Sequence, residues 1–147
     1  MKTTVTIFVA ILIARVGVMP ALAVEHEANV DLTVEVVPFI RINVSPSLIV
    51  FGQVLQGDFV FEQVNITNEG TVKIDVSVSL TVETTPGFYA DNLELTVGPD
   101  TYTVDNFGIT MLDDETATVV LGLNVPIDAP TGLHEGTLVF WAEEAPT

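Results

Sequence analysis

Hydrophobic and polar residues alternate along two long stretches of this chain. Residues 72–82 carry an apolar side chain at every even position, and residues 117–125 carry one at every odd position. A period of two is typical of a β-strand with one buried face and one face in water. Six apolar side chains, each stabilising by roughly 1.5–3 kcal/mol when buried, require a second layer over the strand. Since the residues after position 23 offer no helical stripe, the pattern predicts an all-β sandwich.

Strand-like segments recur after residue 24, separated by turns rich in glycine, proline and asparagine. The predicted strands are residues 30–37, 39–44, 48–51, 59–67, 72–82, 93–97, 101–104, 116–125 and 133–142. The strands 59–67 and 72–82 are expected to pair as an antiparallel unit through the turn at Asn68–Gly70. A change of phase between Phe61 and Val64 predicts a β-bulge near Glu62-Gln63. Residues 116–125 are expected to form a central strand.

The last predicted strand is apolar on both faces, from Leu138 to Trp141. Aromatic residues on a strand usually pack inside their own sandwich. We therefore expect this strand to be buried twice, the alternative being that one face meets another subunit.

The strand count leaves one segment in surplus. Residues 39–142 already supply the seven or so strands of an immunoglobulin-like sandwich, yet residues 30–37 form a further strand. Its apolar face consists of Val30, Leu32, Val34 and Val36. This segment either folds back as an edge strand of its own domain or completes the sheet of a neighbouring copy.

The first 23 residues have the pattern of a secretory signal peptide. Lys2 begins the segment, residues 5–13 are an apolar run, and Ala21-Leu22-Ala23 provides a small-x-small cleavage site. We therefore expect three parts: a signal peptide at 1–23, an N-terminal extension at 24–38 that is the candidate donor strand, and a sandwich domain at 39–147. The mature protein is expected to be secreted, with no membrane contact after cleavage.

The predicted mature chain is strongly acidic. All 20 acidic residues lie after position 23, against only Arg41 and Lys73, so its side-chain balance is −18. Such a surface repels nucleic acid and keeps like copies apart at low salt. It also favours divalent cations as partners. With no cysteine in the chain, no disulfide contributes to stability.

A recognisable pattern runs through the middle of the chain. It comprises Gln56-Gly57-Asp58, the strand around Val64–Ile66, the turn Asn68-Glu69-Gly70-Thr71 and the alternating residues 72–78. The pattern resembles the TasA and camelysin group of secreted biofilm proteins and the archaeal bundling pilins. The resemblance implies a jelly-roll or immunoglobulin-like subunit that polymerises outside the cell by passing its N-terminal strand into the next subunit.

A second resemblance implies a different role. Pro46-Ser47-Leu48-Ile49-Val50-Phe51-Gly52 is similar to the opening of immunoglobulin-like modules of the MSP and ASH types. That similarity implies a monomeric binding, adhesion or surface-layer module with no filament. In this alternative, residues 30–37 are an ordinary edge strand.

Few residues carry candidate chemistry. Asn65 and Asn43 fit the N-glycosylation pattern, with Asn65 expected to face solvent. Asp113-Asp114-Glu115 lacks the spaced ligands of a calcium loop and is interpreted as a solvated turn. His26 and His134 are far apart in sequence, and no nucleophile, base and orienting residue form a recognisable set. We therefore predict no enzyme activity, no metal site and no cofactor, and a structural subunit as the function.

Overall fold

The structure is a computed structural model, and it describes residues 4–8 and 27–146. The chain divides into two compact units, Met1–Val37 and Pro38–Thr147. In the first unit, β1 (Thr4–Phe8) pairs antiparallel with β2 (Glu27–Asp31), with Val5 opposite Val30. The predicted cleavage site at residues 21–23, and His26, lie outside the described residues.

The second unit consists of eight strands and one short 3-10 helical turn at Val104–Asn106. The strands are β3 (Ile42–Ser45), β4 (Phe59–Asn68), β5 (Ile74–Glu83), β6 (Leu93–Val97), β7 (Asp100–Thr103), β8 (Gly108–Met111), β9 (Thr116–Asn124) and β10 (Gly136–Glu144). They form a five-stranded sheet in the order β3-β4-β9-β6-β7 and a three-stranded sheet in the order β10-β5-β8. Both sheets are antiparallel, and they pack against each other. The predicted β-sandwich is therefore confirmed.

The buried core lies between the two sheets and comes from the alternating positions. Ile74 and Val76 of β5 face Ile66 of β4 and Val119 of β9, and all four are buried. The predicted central position of the strand at 116–125 is confirmed, because β9 lies third of five in its sheet. At the end of β5 the alternation continues but burial does not, because the side chain of Val82 is exposed.

The predicted hairpin between residues 59–67 and 72–82 is wrong. β4 pairs with β3 and β9, whereas β5 pairs with β8 and β10, so the two strands belong to different sheets. The connection between them carries the buried side chain of Asn68. Its amide nitrogen donates to the carbonyls of Val72 at 2.9 Å and Leu112 at 2.8 Å, and its oxygen accepts the N–H of Gly70 at 3.0 Å. The turn residues thus hold a crossover between sheets.

Several other predictions about strands also need correction. The register between β4 and β9 is continuous from Phe59 to Thr67, so the bulge near Glu62-Gln63 is absent. Residues 39–41 precede β3, and the carbonyls of Phe39 and Arg41 accept hydrogen bonds from the turn at 69–71. Residues 32–37 and 48–51 lie outside any strand. The short strand β8 had no alternation long enough to reveal it.

The last strand also differs from expectation. Leu138 and Phe140 pack against the core, but Trp141 points to the outer face and is 59% exposed. Its indole N–H donates to the Ser79 hydroxyl at 3.0 Å. β10 therefore has only one buried face. The prediction that this strand is buried on both faces is wrong, because Trp141 lies on the exposed one.

Replacing Asn68 with alanine is expected to destabilise the domain strongly. The Asn68→Ala variant leaves two partly buried carbonyls and one buried N–H without their partner, and a buried polar group that loses its partner costs about 1–3 kcal/mol. We expect the free energy of unfolding to fall by about 2–4 kcal/mol, measured as a lower urea midpoint at unchanged slope.

Asn65→Ala is the matched control, because Asn65 lies on the same strand but is exposed. A surface change of this kind is expected to alter the free energy of unfolding by about 0.5 kcal/mol or less. Equal losses for the two variants would contradict a special role for the buried amide.

Candidate functional site

The two sheets differ in width, and this leaves part of the core uncovered. The three-stranded sheet covers only some of the five-stranded sheet, and β10 is the outer strand on the side of β3. A groove with a volume of about 610 Å³ lies there between the sheets. This volume falls in the range of roughly 300–1,000 Å³ that is typical of binding pockets.

Most of the residues that line the groove are apolar, and Ser47 and Thr137 are polar but uncharged. Its walls are β3, residues 46–49 with Phe51, and the first half of β10, and its floor is formed by Val64, Leu80, Leu93 and Leu121. None of the residues that line it is charged, although the chain has 20 acidic residues. The groove is therefore suited to an uncharged apolar occupant.

One wall of the groove is an unpaired strand edge. β10 forms its ladder with β5 along one edge only, so its other edge has no strand partner in the described part of the chain. Residues 136–140 of this strand line the groove. Unpaired backbone N–H and C=O groups on such an edge can receive a further strand.

The predicted donor residues lie in the first unit. Val30 belongs to β2, and Leu32, Val34 and Val36 follow it in irregular backbone. All four side chains are exposed, Val34 to 83% and Val36 to 87%. These apolar side chains occupy alternate positions of the sequence and are not covered by other described residues.

A polar cluster forms the loop at one end of the groove. The Glu83 carboxylate accepts the backbone N–H groups of Gly87 at 2.9 Å, Tyr89 at 2.6 Å and Ala90 at 3.1 Å. Desolvation acts to raise the pKa of Glu83, but the three hydrogen bonds together outweigh it and lower the pKa below its usual value. Glu83 thus holds the loop that carries Tyr89 in place.

Tyr89 borders the groove and connects it to a second cavity. Its ring packs on Gly136 of β10, where a Cβ would lie 2.7 Å from the ring, and its hydroxyl donates to the carbonyl of His134 at 2.9 Å. Burial raises the pKa of Tyr89, and the carboxylates of Glu135 and Glu83 add to this. The hydroxyl therefore stays protonated as a donor.

His134 closes the second cavity, which has a volume of about 430 Å³. Its ring stacks on Phe88 with centroids 4.0 Å apart, and its two nitrogens lie 2.8 Å from the Thr85 hydroxyl and 2.7 Å from the Pro130 carbonyl. Every polar atom of the ring has a partner, which is typical of a structural histidine.

The remaining candidate residues do not meet at one site. Asn65 and Asn43 are exposed, as a glycan acceptor must be, and Asn65 accepts a hydrogen bond from Thr118. Asp113–Glu115 form an exposed turn in which Glu115 accepts the N–H of Leu112. Among the described residues, no group of three acidic or histidine side chains is placed to hold a metal ion.

Sequence patterns did not reveal the groove itself. Its lining comes from segments far apart in the chain, and residues 48–51 were predicted to form a strand.

Comparison with family models, with curated proteins and with solved structures finds no match for this chain. Within the residues that the structure describes, no helix has the length and apolar character to cross a membrane.

Removing the Glu83 charge is expected to weaken the domain in a pH-dependent way. Because folding lowers the pKa of Glu83 below its unfolded value of 4.5, its contribution is complete above pH 4.5 and disappears as the pH falls through the folded value. We expect Glu83→Gln to lower the free energy of unfolding by about 0.5–1.5 kcal/mol at pH 7, since solvent screens this carboxylate, and by less at pH 3.

Glu94→Gln is the control, since Glu94 is exposed on β6. Urea unfolding of wild type and both variants at the two pH values measures the difference. A loss in Glu83→Gln that stays constant between pH 7 and pH 3 would show that the carboxylate charge is unimportant.

Proposed function

We propose that this protein is a secreted structural subunit of an extracellular filament or biofilm matrix, and that it polymerises by donating its N-terminal strand. The observation that carries the proposal is a complementary pair of surfaces. The segment at residues 30–36 exposes apolar side chains at alternate positions of its sequence, and the sandwich has an uncharged, mainly apolar groove beside an unpaired strand edge.

Strand addition satisfies both surfaces at once. Backbone groups of the donor pair with the free edge of β10, while alternate side chains enter the groove. Val30, Leu32, Val34 and Val36 supply such alternate side chains, and the intervening Thr33 and Glu35 remain in water. The inward positions of a donor strand must be apolar, because a polar side chain that enters the groove without a hydrogen-bond partner costs free energy.

This arrangement leads to a filament. The donor segment and the groove are different surfaces, so contact between two copies is head to tail and leaves one free donor and one free groove. Repetition of a contact that does not close on itself gives an open helical polymer. The resemblance to secreted biofilm proteins and bundling pilins supports the same function.

The charge distribution agrees with assembly at this site. Copies with a balance of −18 repel each other, and charged groups between them would add to the repulsion. The groove and the apolar face of the donor carry no charged side chain. Two copies can therefore meet there without bringing like charges into direct contact, while the rest of the surface sets the dependence on salt.

A negative charge on the apolar face of the donor is expected to abolish assembly. In the Val34→Asp variant of residues 24–147, a carboxylate would have to enter the groove without a partner, which costs several kcal/mol. We expect no filaments by electron microscopy and a monomeric mass in sedimentation, at concentrations where the wild type polymerises.

Thr33→Asp is the matched control, because it adds the same charge one position away on the polar face. It is expected to assemble with at most a modest delay, and both variants should unfold at the wild-type urea concentration. Filaments in Val34→Asp would contradict strand donation, and a wild type that stays monomeric would favour the adhesion-module alternative.

Screening of the acidic surface is expected to accelerate assembly. Raising NaCl from about 10 mM to about 150 mM shortens the Debye length from roughly 30 Å to 8 Å and reduces repulsion between copies. We expect faster growth of light scattering with salt and with falling pH.

A comparison of calcium chloride with NaCl at the same ionic strength distinguishes screening of the acidic surface from binding of calcium ions to it. An equal rate in the two salts indicates screening alone, and a faster rate in calcium indicates that divalent cations bridge acidic groups. Assembly that is insensitive to both salts and to pH would refute the role of charge.

A further inference from the structure

Residues 48–51 form a second unpaired edge at the groove. Their sequence, Leu-Ile-Val-Phe, is rich in residues that favour strands, yet they lie outside any strand. Residues 47–52 make no backbone hydrogen bond within the part of the chain that the structure describes. Their N–H and C=O groups are therefore available to a partner.

The side chains of this segment already alternate as they would in a strand. Ile49 and Phe51 pack against the core, whereas Leu48 is 74% exposed and Val50 is 67% exposed. A period of two in burial is the arrangement that a strand requires. The segment thus has one inward and one outward face, and lacks only a ladder.

This second edge and β10 border the same groove. Residues 47–49 and 51 line one wall, and residues 136–140 line the other. Both edges lack a ladder partner on the groove side among the described residues. A single strand lying in the groove could therefore form ladders on both of its sides, which adds more hydrogen bonds than an edge strand forms.

The length of the groove indicates how many residues of the donor segment can lie in it. Five residues of β10 line it, which corresponds to about 17 Å at roughly 3.4 Å per residue. In a five-residue strand, the first, third and fifth side chains lie on the same face. A donor of this length can therefore place three side chains in the groove. Residues 32–36 satisfy this condition, with Leu32, Val34 and Val36 inward, and they are outside any strand and exposed.

We propose that residues 32–36 of a second copy insert between residues 48–51 and β10, and that insertion converts residues 48–51 into a strand. The inference rests on the proposed function and specifies its interface. The three-stranded sheet then has five strands, equal to the sheet that it faces. Ile49, Phe51, Leu138 and Phe140 flank the inserted side chains.

Hydrogen–deuterium exchange tests this interface. Wild-type filaments of residues 24–147 are compared with the monomeric Val34→Asp variant, and peptides covering residues 47–52 are followed by mass spectrometry. We expect about half of these amides to exchange about tenfold or more slowly in the filament, because alternate N–H groups of a strand point to one edge. The peptide covering 32–36 is expected to slow as well.

Residues 100–103 of β7 provide the internal control, because β7 is the outer strand at the other side of the five-stranded sheet. Their exchange is expected to be equal in filament and monomer. Filaments in which residues 47–52 exchange as fast as in the monomer would overturn this inference while strand donation along β10 alone survives. A wild type that never assembles would overturn the proposed function and this inference together.

Discussion

Burial of apolar side chains between two sheets of unequal width is the constraint on which the rest of this structure depends. The chain has no cysteine, so the domain is stabilised by its core and its hydrogen bonds. Three strands cannot cover five, and the uncovered part is the groove beside β10. The same forces that fold the domain therefore leave an apolar surface uncovered, and this is the surface at which we propose strand addition.

Polar side chains hold the connections around this core in place. The buried amide of Asn68 joins the crossover between sheets to the segments at Val72 and Leu112. The Glu83 carboxylate organises the loop that places Tyr89 at the end of the groove. These side chains act on irregular backbone, where no ladder satisfies the N–H and C=O groups, and so each has several partners.

Charge is segregated from the apolar surfaces. No acidic residue of the described part of the chain lines the groove, and the apolar positions at residues 30–36 alternate with Asp31, Thr33 and Glu35. Repulsion between the acidic surfaces of two copies opposes unspecific association. A contact made through uncharged surfaces experiences less of this repulsion. In the filament that we propose, this distribution of charge would keep the subunits dispersed at low salt.

The sequence alone determined the class of fold and the core residues on its two longest alternating strands, apart from the exposed Val82. Alternation is a local property, so Ile74, Val76, Val119 and Leu121 were predicted to be buried, and the apolar face of residues 30–36 was visible in the same way. Which strands pair was decided only in the tertiary structure. β4 and β5 belong to different sheets, residues 48–51 have no ladder, and Trp141 faces outward, because pairing depends on contacts between distant segments that a period of two does not encode. The groove arises from those pairings, and for that reason no local pattern could predict it.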